Sequence, residues 1–260
     1  AGFGVDSGLP DFRGTQGFWR AYPALGRARI PFEAIANPAA FVRDPHLAWG
    51  FYGHRLNLYR ATVPHAGFAI LRCIAERVPD GAFVFTSNVD GQFQKAGFAA
   101  EQIVECHGSI HHLQCSEPCG EAIWAADDLL PDVDADACRL RSALPTCPRC
   151  GALARPNILM FGDWNWCEAR SEAQHTRLAV WRRRVERLLV IELGAGTAVP
   201  TVRRFGASLG GLLIRINPDE PQLEGARGVA LPENALPALQ GIAAALAAQG
   251  WADFSAKTGA

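Results

Sequence analysis

Nowhere in these 260 residues does an uninterrupted apolar run reach the ~18 residues that a membrane-spanning helix needs. The amino-terminal stretch also lacks the charged-then-apolar pattern of a secretory signal. Neither sign of charge prevails: 25 Lys and Arg meet 26 Asp and Glu, for a formal net charge of -1. That balance removes any global electrostatic case for binding nucleic acid or an anionic membrane. The expectation is a cytoplasmic protein with no membrane and no direct nucleic-acid partner. The basic run Arg182-Arg183-Arg184 falls in a helical stretch and reads as a solvated face. What the chain does have is apolar material: 49% of its residues are hydrophobic, enough to bury one large core with at most a small appendage.

Eight cysteines could suggest a disulfide scaffold, but a chain this long and core-rich has no need of staples. Four of them form two close pairs, Cys115-Ser116-Glu117-Pro118-Cys119 and Cys147-Pro148-Arg149-Cys150. Two tight turns of this kind supply four sulfurs to one tetrahedral ion, and zinc suits such a set best. With all four positions filled by thiolates, the site should be closed and structural. Cys73, Cys106, Cys138 and Cys167 read as buried packing residues.

Strand-like and helix-like segments alternate along the chain. Val63 to Val78 has helical apolar spacing, Ala82 to Phe85 reads as a buried strand, and Thr86-Ser87-Asn88-Val89-Asp90 as a polar loop. The pattern returns with a helix over Ala169 to Arg187, a strand over Leu188 to Leu193 and a turn at Gly194-Ala195-Gly196. A helix over Thr201 to Leu209, a strand over Leu212 to Ile216 and a helix over Ala235 to Gln249 complete it. Such units predict an α/β fold with a parallel sheet covered on both faces and ligand groups at the carboxyl ends of the strands. Two segments interrupt the alternation. Thr15 to Thr62 has no clear strand and reads as a helical insertion over the ligand edge. Cys115 to Cys150 is rich in Pro, Asp and Cys, with little apolar pattern of its own, so a metal is expected to organise it.

The glycines of Ala1-Gly2-Phe3-Gly4-Val5-Asp6-Ser7-Gly8 would expose backbone N–H groups to phosphate oxygens where a strand passes into a helix. Directly after them, Pro10-Asp11-Phe12-Arg13-Gly14 adds a carboxylate, an aromatic ring and a guanidinium. Leu159-Met160-Phe161-Gly162 is strand-like and could accept a peptide as a further strand.

These stretches together resemble the sirtuin family of NAD-dependent protein deacylases, whose pattern runs GAGxSxxSGIPDFRG, TQNID, HG, two cysteine pairs, RPxVVxFGE, GTS and INxE. The matching stretches are AGFGVDSGLPDFRG from Ala1, TSNVD from Thr86, His107-Gly108, RPNILMFGD from Arg155, and Ile216-Asn217, in the same order. The resemblance covers nearly the whole chain. It implies a Rossmann-like NAD-binding domain over 1–114 and 151–260, carrying the insertion at about 15–62, and a zinc-binding module over 115–150.

By the same resemblance, Ala1, Gly2, Asp11, Phe12 and Arg13 line the NAD pocket. Ser87, Asn88 and Asp90 meet the nicotinamide ribose and carboxamide, Gly194, Ala195 and Gly196 the phosphate end, and Asn217 the adenine ribose. Met160, Phe161 and Gly162 meet the substrate peptide. His107 is implied as the general base, since a histidine of near-neutral pKa can take a proton from a ribose hydroxyl. The implied reaction begins with attack of the acyl-lysine oxygen on ribose C1′ as nicotinamide leaves, and ends in free lysine and O-acyl-ADP-ribose. The other histidines, His46, His54, His65, His111, His112 and His175, read as satisfied surface or core residues.

Tyr52-Gly53-His54-Arg55 matches the YxxR spacing of sirtuins that remove acidic acyl groups, since one helical turn aims a phenol and a guanidinium together. Succinyl-, malonyl- or glutaryl-lysine is the expected substrate class. Departures from the pattern are equally specific. Ser87 replaces glutamine, Gly4 serine and Asp163 glutamate, while Gly194-Ala195-Gly196 replaces GTS. The strand that normally precedes the glycine turn is absent from this sequence. These departures keep two alternatives open: transfer of ADP-ribose from NAD to a protein side chain, or NAD and ADP-ribose sensing without turnover.

Overall fold

The computed structural model describes residues 2–10, 15–117, 119–120, 122–251 and 254. A 3-10 turn, Gly2–Ser7, comes first, where the sequence pattern suggested passage from a strand into a helix. Then follow α1 (Thr15–Ala21), α2 (Pro23–Arg27), α3 (Phe32–Ile35), α4 (Pro38–Arg43) and the long α5 (Pro45–Ala61). Proline opens α2, α4 and α5, where its missing N–H is no loss. Asn37 and Asp44 cap α4 and α5 by accepting from the N–H groups of Ala39 and Leu47 at 2.9 and 3.1 Å. These helices are the insertion expected from the sequence.

The chain continues through α6 (Ala66–Ala75), β1 (Val84–Thr86), the single-turn α7 (Gln92–Lys95) and β2 (Ile103–Glu105). Pro64 keeps Val63 out of helical geometry, so α6 begins three residues later than its apolar spacing suggests. Next come β3 (Gly108–Cys115), β4 (Ile123–Ala125), β5 (Val133–Asp134), β6 (Arg139–Leu140) and β7 (Ala154–Ile158). The last part holds α8 (Ala169–Arg184), β8 (Leu189–Leu193), α9 (Thr201–Ser208), β9 (Leu212–Ile216), β10 (Gly228–Leu231) and α10 (Ala235–Ala248). Helix α8 stops at Arg184 because Val185 is extended, and the Arg182 guanidinium donates to the Val185 carbonyl at 3.0 Å.

Pairing is parallel in β1-β2 and in β10-β9-β8, the two pieces of the Rossmann-like sheet. Phe85 of β1 stacks on Phe205 of α9 at 3.8 Å between ring centres and ties the pieces together. Helix α8 covers one side of β2 through Ser171 and Gln174, which bond the backbone of Glu105. On another side α6 and α10 pack with Phe3 and Ile216 in a core of Phe68, Ile70, Cys73, Leu239 and Ala243.

A second core joins the helical insertion to the antiparallel sheet β4-β3-β7. It contains Phe18, Leu25, Trp49, Phe51, Tyr52 and Leu56 beside Ile110, Leu113 and Ile158. The cysteine-rich segment contributes to this same core through Ala126, Cys138 and Leu140. The expectation that a metal alone organises it is therefore corrected: the ribbon β5-β6 is held by packing on α5. Gly50 makes that approach feasible, because a Cβ there would sit 2.0 Å from the Cys138 carbonyl oxygen.

Candidate active site and metal centre

Parallel register places the chemistry. Thr86 lies opposite Glu105, so the chain leaves β1 and β2 side by side. The loops then stay together: Cys106 N–H donates to the Thr86 carbonyl and Ile110 N–H to that of Val89, each at 2.9 Å. The loop that carries Ser87, Asn88 and Asp90 thereby runs alongside the Cys106–Ile110 stretch that carries His107. Asn88 is held by its N–H donating to Thr86 Oγ1 at 3.0 Å. Gly108 has φ +77, and a Cβ there would lie 2.1 Å from the Asn157 carbonyl oxygen, so the residue after His107 has to be glycine.

His107 is partly buried, and burial lowers its imidazole below the usual histidine value. Its carbonyl accepts from Leu159 N–H at 3.0 Å, which fixes the ring's backbone against the end of β7. Asp90 is buried, and loss of water raises its carboxyl, opposed by the Gln92 N–H and by Arg55. One carboxylate oxygen accepts from Gln92 N–H at 3.0 Å, and the other lies 3.6 Å from where a Cβ on Gly4 would stand.

At the other parallel piece, Leu193 lies opposite Ile216, so the turns 194–196 and 217–219 emerge together. Gly194 N–H donates to the Ile216 carbonyl at 2.9 Å. The Gly2–Ser7 turn connects the two loop groups, with Gly2 against Gly194 and Gly4 near Asp90. His65 holds that turn from below. Its Nδ1 accepts from Gly67 N–H, so Nε2 carries the hydrogen donated to the Phe3 carbonyl at 2.9 Å. Gly4 stands where the resemblance expects serine; Leu9 Cδ1 would be 2.9 Å from a Cβ there and fills that space. Ala1, Asp11, Phe12 and Arg13 lie outside the described residues.

Asn217 is buried, and its amide serves the loops themselves. Nδ2 donates to the Ala195 carbonyl at 3.0 Å, and Oδ1 accepts from the N–H groups of Asp219 and Glu220. Two residues that sequence reasoning missed do related work. Arg203, buried on α9, donates to the carbonyls of Ala195, Glu220 and Gln222. Glu220 accepts from the Thr197 N–H and hydroxyl, placing a hydroxyl one residue beyond the Gly194-Ala195-Gly196 turn that lacks any. Only an arginine spaced after the strand–turn unit could have signalled this role, and no motif contains it.

Tyr52 and Arg55 both point into the second core. The Arg55 guanidinium lies 5.2, 5.8 and 5.3 Å from the ring centres of Phe51, Tyr52 and Tyr59, and its Nε and Nη2 donate to the Tyr59 hydroxyl at 2.9 and 2.7 Å. The segment from Leu159 departs from its strand-like pattern. Strand β7 ends at Ile158, Phe161 N–H donates to the Ala36 carbonyl at 2.9 Å, and Gly162 turns with φ +65. Met160 is buried, while Leu159 and Phe161 keep exposed faces.

The four sulfurs of Cys115, Cys119, Cys147 and Cys150 lie within 4.8 Å of one another. Cys115 is 3.6 Å from Cys150 and Cys119 is 3.7 Å from Cys147. Zinc bonded to sulfur at about 2.3 Å gives tetrahedral sulfur separations of about 3.8 Å, so these residues fit the ion. Backbone N–H groups of Cys150 and Arg149 pull the Cys147 thiol down to about 7, favouring the thiolate that a metal requires.

A glycine turn, an Asn-x-Asp loop and a histidine at one edge of a parallel sheet, with a four-thiolate knot beside it, define a Rossmann-like α/β protein with a zinc ribbon. Comparison with known proteins agrees. A model of the Sir2 family matches residues 1–191. An NAD-dependent protein deacylase of Aquifex aeolicus is 29% identical over 222 residues, covering 85% of this chain and 81% of that protein. One from Pyrococcus furiosus is 31% identical over 219 residues, covering 84% and 78%. Among solved structures, that of a Sir2 homolog–NAD complex has a TM-score of 0.70 at 24% identity, over 96% of this chain and 87% of that one. The chain belongs to the Sir2 family.

Proposed function

We propose that this protein is an NAD-dependent lysine deacylase that prefers acidic acyl groups and releases nicotinamide and O-acyl-ADP-ribose. The observation that carries the deacylase reading is the joining of three elements at one sheet edge: the Gly2–Ser7 turn, the Asn88–Asp90 loop and His107. The relatives named above are deacylases by description, which supports the same reading.

Bound NAD supplies an activated ribose carbon and a good leaving group. The chain's own part is to position and to move a proton. His107, kept neutral by its buried setting, accepts a proton from a ribose hydroxyl. Asp90 and Asn88 orient the nicotinamide end, and the turns at Gly2 and at Ala195-Gly196 present N–H groups to phosphate. Exposed Phe161 and Leu159 flank the path of the acyl-lysine peptide.

The acidic-acyl preference rests on Tyr52 and Arg55, one helical turn apart in an aromatic surround. A carboxylate arriving there would share the guanidinium with the Tyr59 hydroxyl. Mass spectrometry of products from matched peptides tests both levels. Succinyl-lysine peptide should react faster than acetyl-lysine peptide, and Arg55→Met should abolish that difference. Equal rates in the parent protein would remove the preference. Labelled protein in place of O-acyl-ADP-ribose would make the enzyme a transferase.

A further inference from the structure

Behind the Asp90 loop lies a cavity of about 670 Å³, a volume within the range of small-molecule sites. It opens between the end of α5, α7, β3 and α8. Asp90 is part of its wall, with one carboxylate oxygen accepting from the Gln92 N–H and the other facing Gly4. The cavity therefore shares the Asp90 loop with the proposed nicotinamide position.

Its walls are basic. Arg60, Lys95, Arg170 and Arg177 contribute side chains, and His111 and His112 line it from β3. Three of these cations spend their hydrogen bonds on neutral carbonyls: Arg60 on Ala126 and Leu129, Lys95 on Arg60 and Thr62, Arg177 on Glu101. None of the three forms an ion pair with a described carboxylate, and the four cations outnumber the two acidic residues of the wall, Asp90 and Glu101. Among the described residues, Arg170 alone of the four has a carboxylate partner, the buried Glu105, at 2.5 Å.

Hydrogen bonding is also incomplete there. Arg170 Nη1, His112 Nδ1 and Glu105 Oε1 are all buried with no partner. Glu105 itself is 1% exposed. Buried polar atoms in native proteins nearly always have partners, so two on residues that line one cavity, Arg170 and His112, point to a missing ligand with its own polar groups. This corrects the reading of His112 as a satisfied histidine. His111 does have a partner, donating to the Asp90 carbonyl at 3.0 Å, and thus joins the cavity wall to the loop of the reaction site.

We propose that this cavity is a second ligand site, taking a small organic anion that carries a carboxylate or phosphate group. We further infer that its occupancy tunes NAD use through His111 and the Asp90 loop, a step that rests on the function proposed above. Arg170 Nη1 and the neighbouring cations Arg60, Lys95 and Arg177 draw the anionic group in, while His112 Nδ1 takes a hydrogen bond from the remainder.

Calorimetric titration of the full chain with inorganic phosphate and with citrate, without NAD, tests the site and separates the two anion classes. At least one should bind saturably at one site per chain. Arg177→Glu and Gln94→Glu, which place negative charge in the cavity wall without unpairing Glu105, should each weaken that binding at least tenfold while the melting temperature holds. Failure of both anions to saturate, affinity in the variants unchanged from the parent, or full displacement by ADP-ribose would overturn the site. None of these readings requires turnover, so they stand apart from the deacylase assignment. In kinetics, the bound anion should shift the KM for NAD at least twofold in the parent and not in Arg177→Glu; an unmoved KM overturns the coupling.

Discussion

Gly194 and Gly2 touch backbone to backbone: a Cβ on Gly194 would lie 2.9 Å from the Gly2 Cα and 3.0 Å from its nitrogen. Gly194 also holds φ +61, a region that disfavours side chains. Space and conformation both demand glycine where the amino-terminal turn meets the edge of β8. Gly194→Ala is expected to push the turns apart and to add about 1 kcal/mol of backbone strain. NAD affinity, read by fluorescence quenching, should fall at least tenfold. Unchanged affinity would mean that the Gly2–Gly194 contact does not shape the cofactor site.

The protonation of His107 makes a prediction about pH. Burial disfavours the imidazolium, so the folded pKa lies below the usual 6.5 and the neutral base persists to lower pH. At pH 6.5 more than half of the imidazole is then still neutral, and kcat/KM should retain more than half of its plateau value. Activity should fall only as pH drops through the lowered pKa. His107→Gln should remove this limb and cost about 10²–10⁴ in rate. A midpoint at or above 6.5 would show that another group limits the reaction.

How much of this could be read from the chain alone depended on whether a residue acts through its side-chain identity or through position. The helices of the α/β units were legible from apolar spacing, and β8 and β9 from short apolar runs. Their ends were not, because Pro64 delays the start of α6 and the extended Val185 stops α8. Cysteine spacing was enough to place the four thiolates together. The turn from Leu159 to Gly162 was misread as strand-like, since Leu159, Met160 and Phe161 make a short apolar run while their N–H groups are claimed by His107, Asp163 and Ala36. Arg203 and Glu220 were invisible for a related reason. They brace loops by bonding main-chain groups far away in sequence, and no local pattern encodes that.

The cysteine knot predicts one zinc per chain by elemental analysis. Because Ala126, Cys138 and Leu140 pack on α5 independently of the sulfurs, stripping the metal should loosen the two cysteine turns without unfolding the chain. Chelation or Cys147→Ser is expected to lower the melting temperature by roughly 5–10 °C while far-ultraviolet circular dichroism keeps its helical signal. Complete unfolding on chelation would show that the packing on α5 is too weak to hold the ribbon.

Arg155 and Asp163 supply the last prediction. Two parallel bonds of 2.8 Å join the guanidinium to the carboxylate, and the side chains are 1% and 0% exposed. Such a pair is costly to break from one side, since the remaining charge is stranded away from water; Asp163→Ala should cost about 3–5 kcal/mol. For a chain of this length that is roughly a 10 °C fall in melting temperature. Asp163 also receives the N–H groups of Met160 and Asn165, at 3.4 and 3.1 Å, so it shapes the turn beside the proposed peptide path. Asp163→Glu restores the residue expected from the family pattern but adds a methylene to a filled space, at about 1–3 kcal/mol. Both variants should raise the KM for acyl-lysine peptide more than the KM for NAD, because among the described residues the hydrogen bonds of this pair go to Ile158, Met160 and Asn165 and not to the nicotinamide loop or the glycine turns. If both KM values rise in step, Asp163 acts on the fold as a whole and has no separate part in presenting the peptide.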